Sequence, residues 1–402
     1  DRNNWLTGAD YGTFIGTGNS NAPTTYPDSG TYTSSSGAIV REATQSITLG
    51  NGFHAQSGSN YHAYIVDTNG FEEVGNGDYD VTGIEYDPNG NITQLVRKKN
   101  DSGGNNDMDD LSYVYKANTN QLLRVDDADG DVAGTDDIGD QNGTNYTYNS
   151  IGQLTNNAAE GVSYSYNVQG LVTEVQKNGQ PVIKLYYNER GQRIKKETYG
   201  GGNLQKTDIY VRDAGGTAMA IYSNGTLLEH TIYGSERLGV YQRAGATSVY
   251  QLTDHLGNVR ATFQKSGSTI VNDDYNDYYP FGMPMPGRNG ISSSAYRYAF
   301  QGQEKDPETN KEAFELRLWD SRIGRWLTTD PAGQYSSPYL GMGNNPISRV
   351  DPDGGFDWVY DKEKKEYVWI DSAVDEKTTP FGYDFVGDHS NITDDWISRS
   401  DG

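Results

Sequence analysis

An all-β protein is the fold class this sequence predicts, built from β-hairpins wound into a spiralling sheet. Three observations carry that expectation. The 402 residues include 49 Gly and 31 Tyr beside many Thr, Val and Ile, the mixture of short strands separated by frequent turns. A Tyr-Asp/Asn-x-x-Gly pattern recurs as "YDPNGNI" from Tyr86, "YNSIGQL" from Tyr148, "YNVQGLV" from Tyr166 and "YNERGQR" from Tyr187. Alternating residues enter and leave each copy, as in "VSYSYN" and "VIKLYYN", which is the layout of a hairpin. One hairpin cannot bury its own apolar face, so the copies must join edge to edge into a continuous winding sheet. A degenerate copy, "YKANTNQL" from Tyr115, places Asn120 at the Gly position, and Asn is the next-best residue for a left-handed backbone.

The remaining segments divide the chain by texture. Residues 1–70 form a small β-module, in which Ile47, Leu49 and Phe53 flank an Asn-Gly turn. Residues 71–275 hold the hairpin array. From 276 the segment "DYYPFGMPMPGR", with three Pro, predicts an irregular wrapping stretch, and "GQEKDPETNKEAFELRLWD" predicts a turn of helix before a strand. The repeat texture stops after residue 354, and 355–402 read as the start of a different region. The chain opens on "DRNNWLTG" without a basic and apolar leader and ends abruptly at "SRSDG", the expectation for a signal-stripped or fragmentary sequence.

Charge and composition exclude several functions. A formal net charge of −23 repels phosphate backbones, so no nucleic-acid partner is expected. With Cys 0 there are no disulfides and no thiolate chemistry. No apolar run is long enough to span a membrane. The acidic insert at 126–140 raises a calcium reading through Asp127, Asp129 and Asp131, but the twelfth loop position is Ile138, where an EF-hand needs Glu. A solvated loop is the expectation there. His54 and His62 lack accompanying ligands at metal spacing, and His255 reads as a turn residue. No cofactor and no metal are expected.

The chemistry-bearing stretch is "LRLWDSRIGRWLTTDPAG" (316–333) followed by "NNPISRVDPDGG" (344–355). Asp-Pro and Asp-Gly serve as turn formers, so punctuation is one reading of both motifs. The other is a pair of carboxylates meant to meet. Held within a few ångströms, two carboxylates cannot both ionise cheaply, so one keeps a proton. One can then act as a base on water and the other as an acid, while a nearby Arg steadies the oxyanion. Arg325 is an alternative ion-pair partner, and Asp353 an alternative carboxylate.

Together the repeats and the words "TDHLGNVRATF", "YYPFGMPMPGR", "YRYAFQGQEKD", "SRIGRWLTTDP" and "NNPISRVDPDG" resemble the RHS/YD-repeat family over residues 80–354, with its RHS-repeat-associated core at 276–354. Residues 39–67 resemble more weakly a β-module found ahead of such arrays in secreted bacterial proteins. The resemblance implies a β-ribbon spiralling into a hollow shell, plugged by the core and enclosing the variable polypeptide that follows, often a toxin. Teneurins and the shell subunits of insecticidal toxin complexes look similar. It further implies a secreted or cell-surface bacterial shell protein, with bacterial secretion machinery as a possible partner. Many bacterial members cut themselves just after Asp-Pro-x-Gly, as single-turnover aspartic-type autoproteases. Matched motif to motif, the acids are Asp330 and Asp351, the Arg is Arg317, and the cut falls among Gly354, Gly355 and Phe356. One departure stands out: a bulky apolar residue, often Leu, normally follows the motif's Gly, and here that residue is Gly355. A non-proteolytic structural or adhesion protein, or a secretion-system cargo, is the alternative reading.

Overall fold

The computed structural model describes residues 78–355, except 101–105, 130–131, 133–134, 268 and 291–295. It also describes Leu6 and the backbone of short strands between residues 13 and 74 and between 359 and 384. The chain divides into two compact units, one of residues 10–78 and one of 1–9 with 79–402.

In the smaller unit, Thr25–Asp28 pairs in parallel with Ser46–Leu49, Thr31–Tyr32 with His54–Ala55, and Ala38–Ala43 with Asn60–Ile65. Gly50, Asn51 and Gly52 lie outside the described residues, and the strands on either side of them each find a partner earlier in the chain. His54 and His62 lie on two of these strands.

The larger unit is an antiparallel meander. Strands Val81–Tyr86, Ile92–Lys98, Asp107–Tyr115 and Leu122–Asp127 form a four-stranded sheet in chain order. A fourteen-stranded sheet follows, from Tyr146–Tyr148 to Pro284–Gly290, with every strand paired to its neighbour in sequence. Such a sheet has low-order connections throughout, because each link is a tight turn.

The repeat explains both the turn and the pairing. In Asn167, Oδ1 accepts the N–H groups of Gln169 and Leu171, both at 3.0 Å, and Asn188 does the same for Arg190 and Gln192. This side-chain-capped turn needs a left-handed residue three positions on, and Gly90, Gly152, Gly170 and Gly191 all have φ between 82° and 86°. In the degenerate copy that role falls to Asn118, φ 59°, and not to Asn120. Asn120 instead accepts a hydrogen bond from Asn91 Nδ2 at 2.8 Å, tying one turn to the previous one. The repeat's Tyr reaches back across the sheet. Tyr115 donates to Ile92 O at 2.6 Å, Tyr166 to Leu154 O at 2.6 Å and Tyr187 to Val172 O at 2.7 Å. Each phenol thus clamps the strand that left the preceding turn. Tyr187→Phe is expected to cost about 1 kcal/mol of stability in a urea titration, since it removes one part-buried hydrogen bond.

The Pro-rich stretch is not irregular. Pro284–Gly290 is the last strand of the long sheet, paired Tyr278↔Pro284 and Tyr275↔Gly290. As the sheet's terminal strand it can carry Pro without breaking a central ladder. The turn of helix expected within 302–320 does not form: after a tight turn at Phe300–Gly302, where Gln301 has φ 48°, the segment makes strands Glu304–Asp306, Lys311–Ala313 and Leu318–Asp320, which join Arg325–Trp326 in a small antiparallel sheet.

This small sheet and the loops to residue 355 form the plug, which touches the meander along its length. Tyr113 donates to Ile323 O at 3.3 Å, Leu154 N–H to Leu327 O at 2.9 Å, Trp319 Nε1 to Phe281 O at 3.0 Å and Asn344 Nδ2 to Gly90 O at 2.8 Å. The two ends of the meander also meet. The Tyr279 hydroxyl donates to Lys98 O and its ring lies 6.4 Å from that of Tyr79, whose hydroxyl donates to Pro286 O at 2.8 Å. Trp319 and Trp326, both buried and 4.9 Å apart edge to face, centre the plug.

Candidate active site

Arg317 directly precedes strand Leu318–Asp320, Asp330 follows strand Arg325–Trp326, and Asp351 opens the turn at 351–355. The fold brings the three side chains together. Arg317 Nη2 lies 3.6 Å from Asp330 Oδ1 and 3.5 Å from Asp351 Oδ2, and none of the three side chains is more than 3% exposed. Arg317 Nε donates to the carbonyl oxygen of Gly354. Its guanidinium carbon sits over the Trp326 ring, 4.2 Å from the ring centre, a favourable cation–π contact. Arg317 Nη1 is buried with no hydrogen-bond partner among the described residues.

Each carboxylate is held by its own turn. Asp330 accepts Ala332 N–H through Oδ1 and Gln334 N–H through Oδ2, both at 3.0 Å. Asp351 Oδ1 accepts the N–H groups of Gly354 at 2.7 Å, Gly355 at 3.2 Å and Asp353 at 3.3 Å. Its own N–H donates to Gln301 Oε1 at 2.9 Å. Burial pushes the Asp351 carboxyl up to about 6, against the opposing pull of Arg317, and Asp353 nearby adds to the rise. Two acids, one guanidinium and a peptide carbonyl therefore share one buried site. That arrangement can polarise a carbonyl while one carboxyl keeps its proton.

The alternatives weighed in the sequence lie elsewhere or do something else. Arg325 donates to Asn91 Oδ1 at 3.2 Å, to the Tyr115 hydroxyl at 3.1 Å and to Asn120 O at 2.7 Å, so it fastens plug to wall. Asp353 Oδ1 accepts Gly355 N–H at 2.8 Å. His255 Nε2 is 3.0 Å from Ile347 O, at a turn. Asp127 Oδ1 accepts Asp110 N–H at 3.0 Å and Asp129 N–H at 3.2 Å. Asp131 and Phe356 lie outside the described residues. Trp326 and Gln301 were not singled out in sequence; only their contacts with Arg317 and Asp351 reveal them.

The family model for the teneurin YD-shell matches residues 37–341, most of the chain. The chain belongs to the teneurin YD-shell family. Toxin subunit YenC1 of Yersinia entomophaga is 25% identical to this YD-shell chain over 355 residues, covering 80% of it and 34% of the relative. Salivary gland surface protein 1 of Aedes aegypti is 32% identical over 185 residues, 43% of this chain and 5% of that protein. The tRNA3(Ser)-specific nuclease WapA of Bacillus spizizenii is 26% identical over 300 residues, 67% and 12% of the two chains. This YD-shell chain thus spans between a twentieth and about a third of the length of these relatives. A crystal structure of TcdB2-TccC3-Cdc42 aligns with a TM-score of 0.40 at 19% identity, over 69% of this chain and 17% of that one. Among the described residues no helix is long and apolar enough to cross a membrane.

Proposed function

We propose that this YD-shell chain is the closing part of a secreted shell that encloses and delivers its own C-terminal polypeptide, a toxin, and that it severs itself once beside Asp351. The contact of Arg317 with Gly354 O, between two buried carboxylates, carries this reading. On this reading the cut falls at the Gly354–Gly355 peptide, whose carbonyl faces Arg317 and whose nitrogen faces Asp351. Asp330 takes a proton from water as its oxygen adds to the Gly354 carbonyl carbon. Arg317 stabilises the oxyanion, and Asp351 gives its proton to the Gly355 nitrogen as the C–N bond breaks. The products are a Gly354 carboxylate and a free amine on Gly355. Kinship with a toxin subunit supports the shell role and export.

A C-terminally tagged chain on a denaturing gel tests the reading. Two fragments are expected, the smaller beginning at Gly355 by mass; a single intact band overturns self-cleavage. The acid role of Asp351 sets a pH dependence. Its carboxyl is protonated below about pH 6 and loses that proton above it. The cleavage rate on refolding should therefore fall about tenfold per pH unit between 7 and 9. A rate that climbs over that range removes Asp351 as the acid.

The adhesion alternative draws on one observation, the apolar groups on the sheet's solvent side. Ile209 and Tyr222 pair across strands, and Tyr250 stacks on Phe263 at 5.6 Å. An uncut wild-type chain that binds cell surfaces would favour it.

A further inference from the structure

We infer that Glu312 makes the plug sensitive to pH: with its proton the plug packs firmly, and without it the plug loosens. This holds whether or not the chain severs itself. The plug's small sheet carries three fully buried carboxyls, Asp306, Glu312 and Asp320, none more than 1% exposed. Two of them are neutralised by cations in contact. Asp306 accepts from Arg193 at 2.9 Å and Lys196 at 2.7 Å, and Asp320 accepts twice from Arg322 at 3.1 Å with Lys311 Nζ 2.5 Å away. Glu312 has no such partner. The Ser321 hydroxyl donates to its Oε1 at 3.2 Å, and Lys305 Nζ stays 3.7 Å off, beyond hydrogen-bond reach. Oε2 is buried with no hydrogen-bond partner among the described residues.

The register fixes what surrounds that carboxyl. Glu312 lies opposite Lys305 on one side and Trp319 on the other, and Trp319 lies opposite Trp326. Residues directly opposite in an antiparallel pair project to the same face, so Glu312 shares a row with both buried tryptophans. The row adjoins the wall, where Trp319 Nε1 donates to Phe281 O at 3.0 Å. A carboxylate in this row borders aromatic rings in place of water, the setting in which ionisation is costly.

The charged and titratable groups around Glu312 are Lys305, Asp320 with its partners Lys311 and Arg322, and Tyr278 on the wall. Burial pushes the Glu312 carboxyl up to about 7; Lys305 and the Ser321 contact oppose the rise, and Asp320 adds to it. Burial also raises the Tyr278 phenol, which stays neutral. Asp306 and Asp320 are held low by their cations in spite of burial, so they stay ionised above pH 5 and contribute no slope there. A carboxyl raised above its unfolded value of about 4.3 keeps, in the folded state, a proton that the unfolded chain has released. Its contribution to stability is therefore full below about pH 4, falls as pH rises, and levels off above the folded value.

Urea titrations of the full chain at pH 5, 6, 7 and 8, for wild type and Glu312→Gln, test this. Glutamine keeps the shape and an acceptor for Ser321 but carries no charge, and every other titration, that of Asp351 included, is common to both chains. The ratio of the two unfolding constants should move in favour of Gln by about tenfold per pH unit between 5 and 7 and level off by 8. Hydrogen exchange locates the effect. At pH 8 the amides of Leu318–Asp320 should exchange more slowly in Glu312→Gln than in wild type, and by a larger factor than those of wall strand Val162–Tyr166. A ratio that does not change with pH, or one that moves in favour of wild type, overturns the inference. So does equal slowing of plug and wall amides.

Discussion

Asp351→Asn should leave the chain as one intact band, and so should Asp330→Asn. Asparagine keeps the shape and the accepting oxygen of both turns. The Gly354 and Gly355 N–H groups retain their partner at 351, and Ala332 or Gln334 retains one at 330. What is lost is the ability to give or take a proton, a contribution of about 10²- to 10⁴-fold for a positioned general acid or base. Because the event happens once per chain, a slowing of that size turns hours into weeks and reads as no product. Arg317→Lys should be nearly as severe. A point charge cannot sit over Trp326 and at the same time meet Gly354 O and two carboxylates. Unchanged cleavage in either Asn variant, with normal melting, would mean that the two acids are structural and the turn reading of both motifs is sufficient.

The hairpin array was readable because its information is local. A Tyr, an Asx acceptor and a left-handed Gly within five residues encode a capped turn, and the alternation on either side encodes the strands. The distant half of that motif was not readable. Nothing in "YNERGQR" says that the Tyr187 hydroxyl meets Val172 O, since the acceptor is a backbone atom without a sequence signature. The parallel pairing of Thr25–Asp28 with Ser46–Leu49 escaped for the same reason, since its ladder too is made of backbone atoms. Pro284 and Pro286 misled because proline forbids only a central strand, and position in the sheet is a tertiary fact. At the site, Arg317, Asp330 and Asp351 came from two Asp-Pro turns read beside a family resemblance. Physics alone left Arg325 and Asp353 as rivals. Trp326 and Gln301 entered only through contacts, because an apolar or amide side chain beside a charged one carries no signal of its own.

Asp306→Ala should be the most destabilising single change at the wall, by about 3–5 kcal/mol in a urea titration, the cost of leaving buried charge uncompensated. Asp306 is fully buried and takes two hydrogen bonds of 2.9 Å from Arg193 and one of 2.7 Å from Lys196. Both cations stand on the wall strand Arg193–Gly200, while Asp306 belongs to the plug. Glu308 also pairs with Lys196 at 2.7 Å, but Glu304 is 3.8 Å from Arg193, so neither replaces the bidentate contact. Burial by itself would raise the Asp306 carboxyl, yet Arg193 and Lys196 overcome it and hold it well below the usual carboxylate range. A depressed carboxyl contributes stability that is present above the unfolded value of about 4 and is lost only as pH falls through the lower folded value. The latch should therefore hold unchanged from pH 7 to about pH 4 and weaken below it, and in the Asp306→Ala variant that acid limb should flatten. If Asp306→Ala costs under about 1 kcal/mol, water reaches the cluster and the plug is held by its aromatic packing instead.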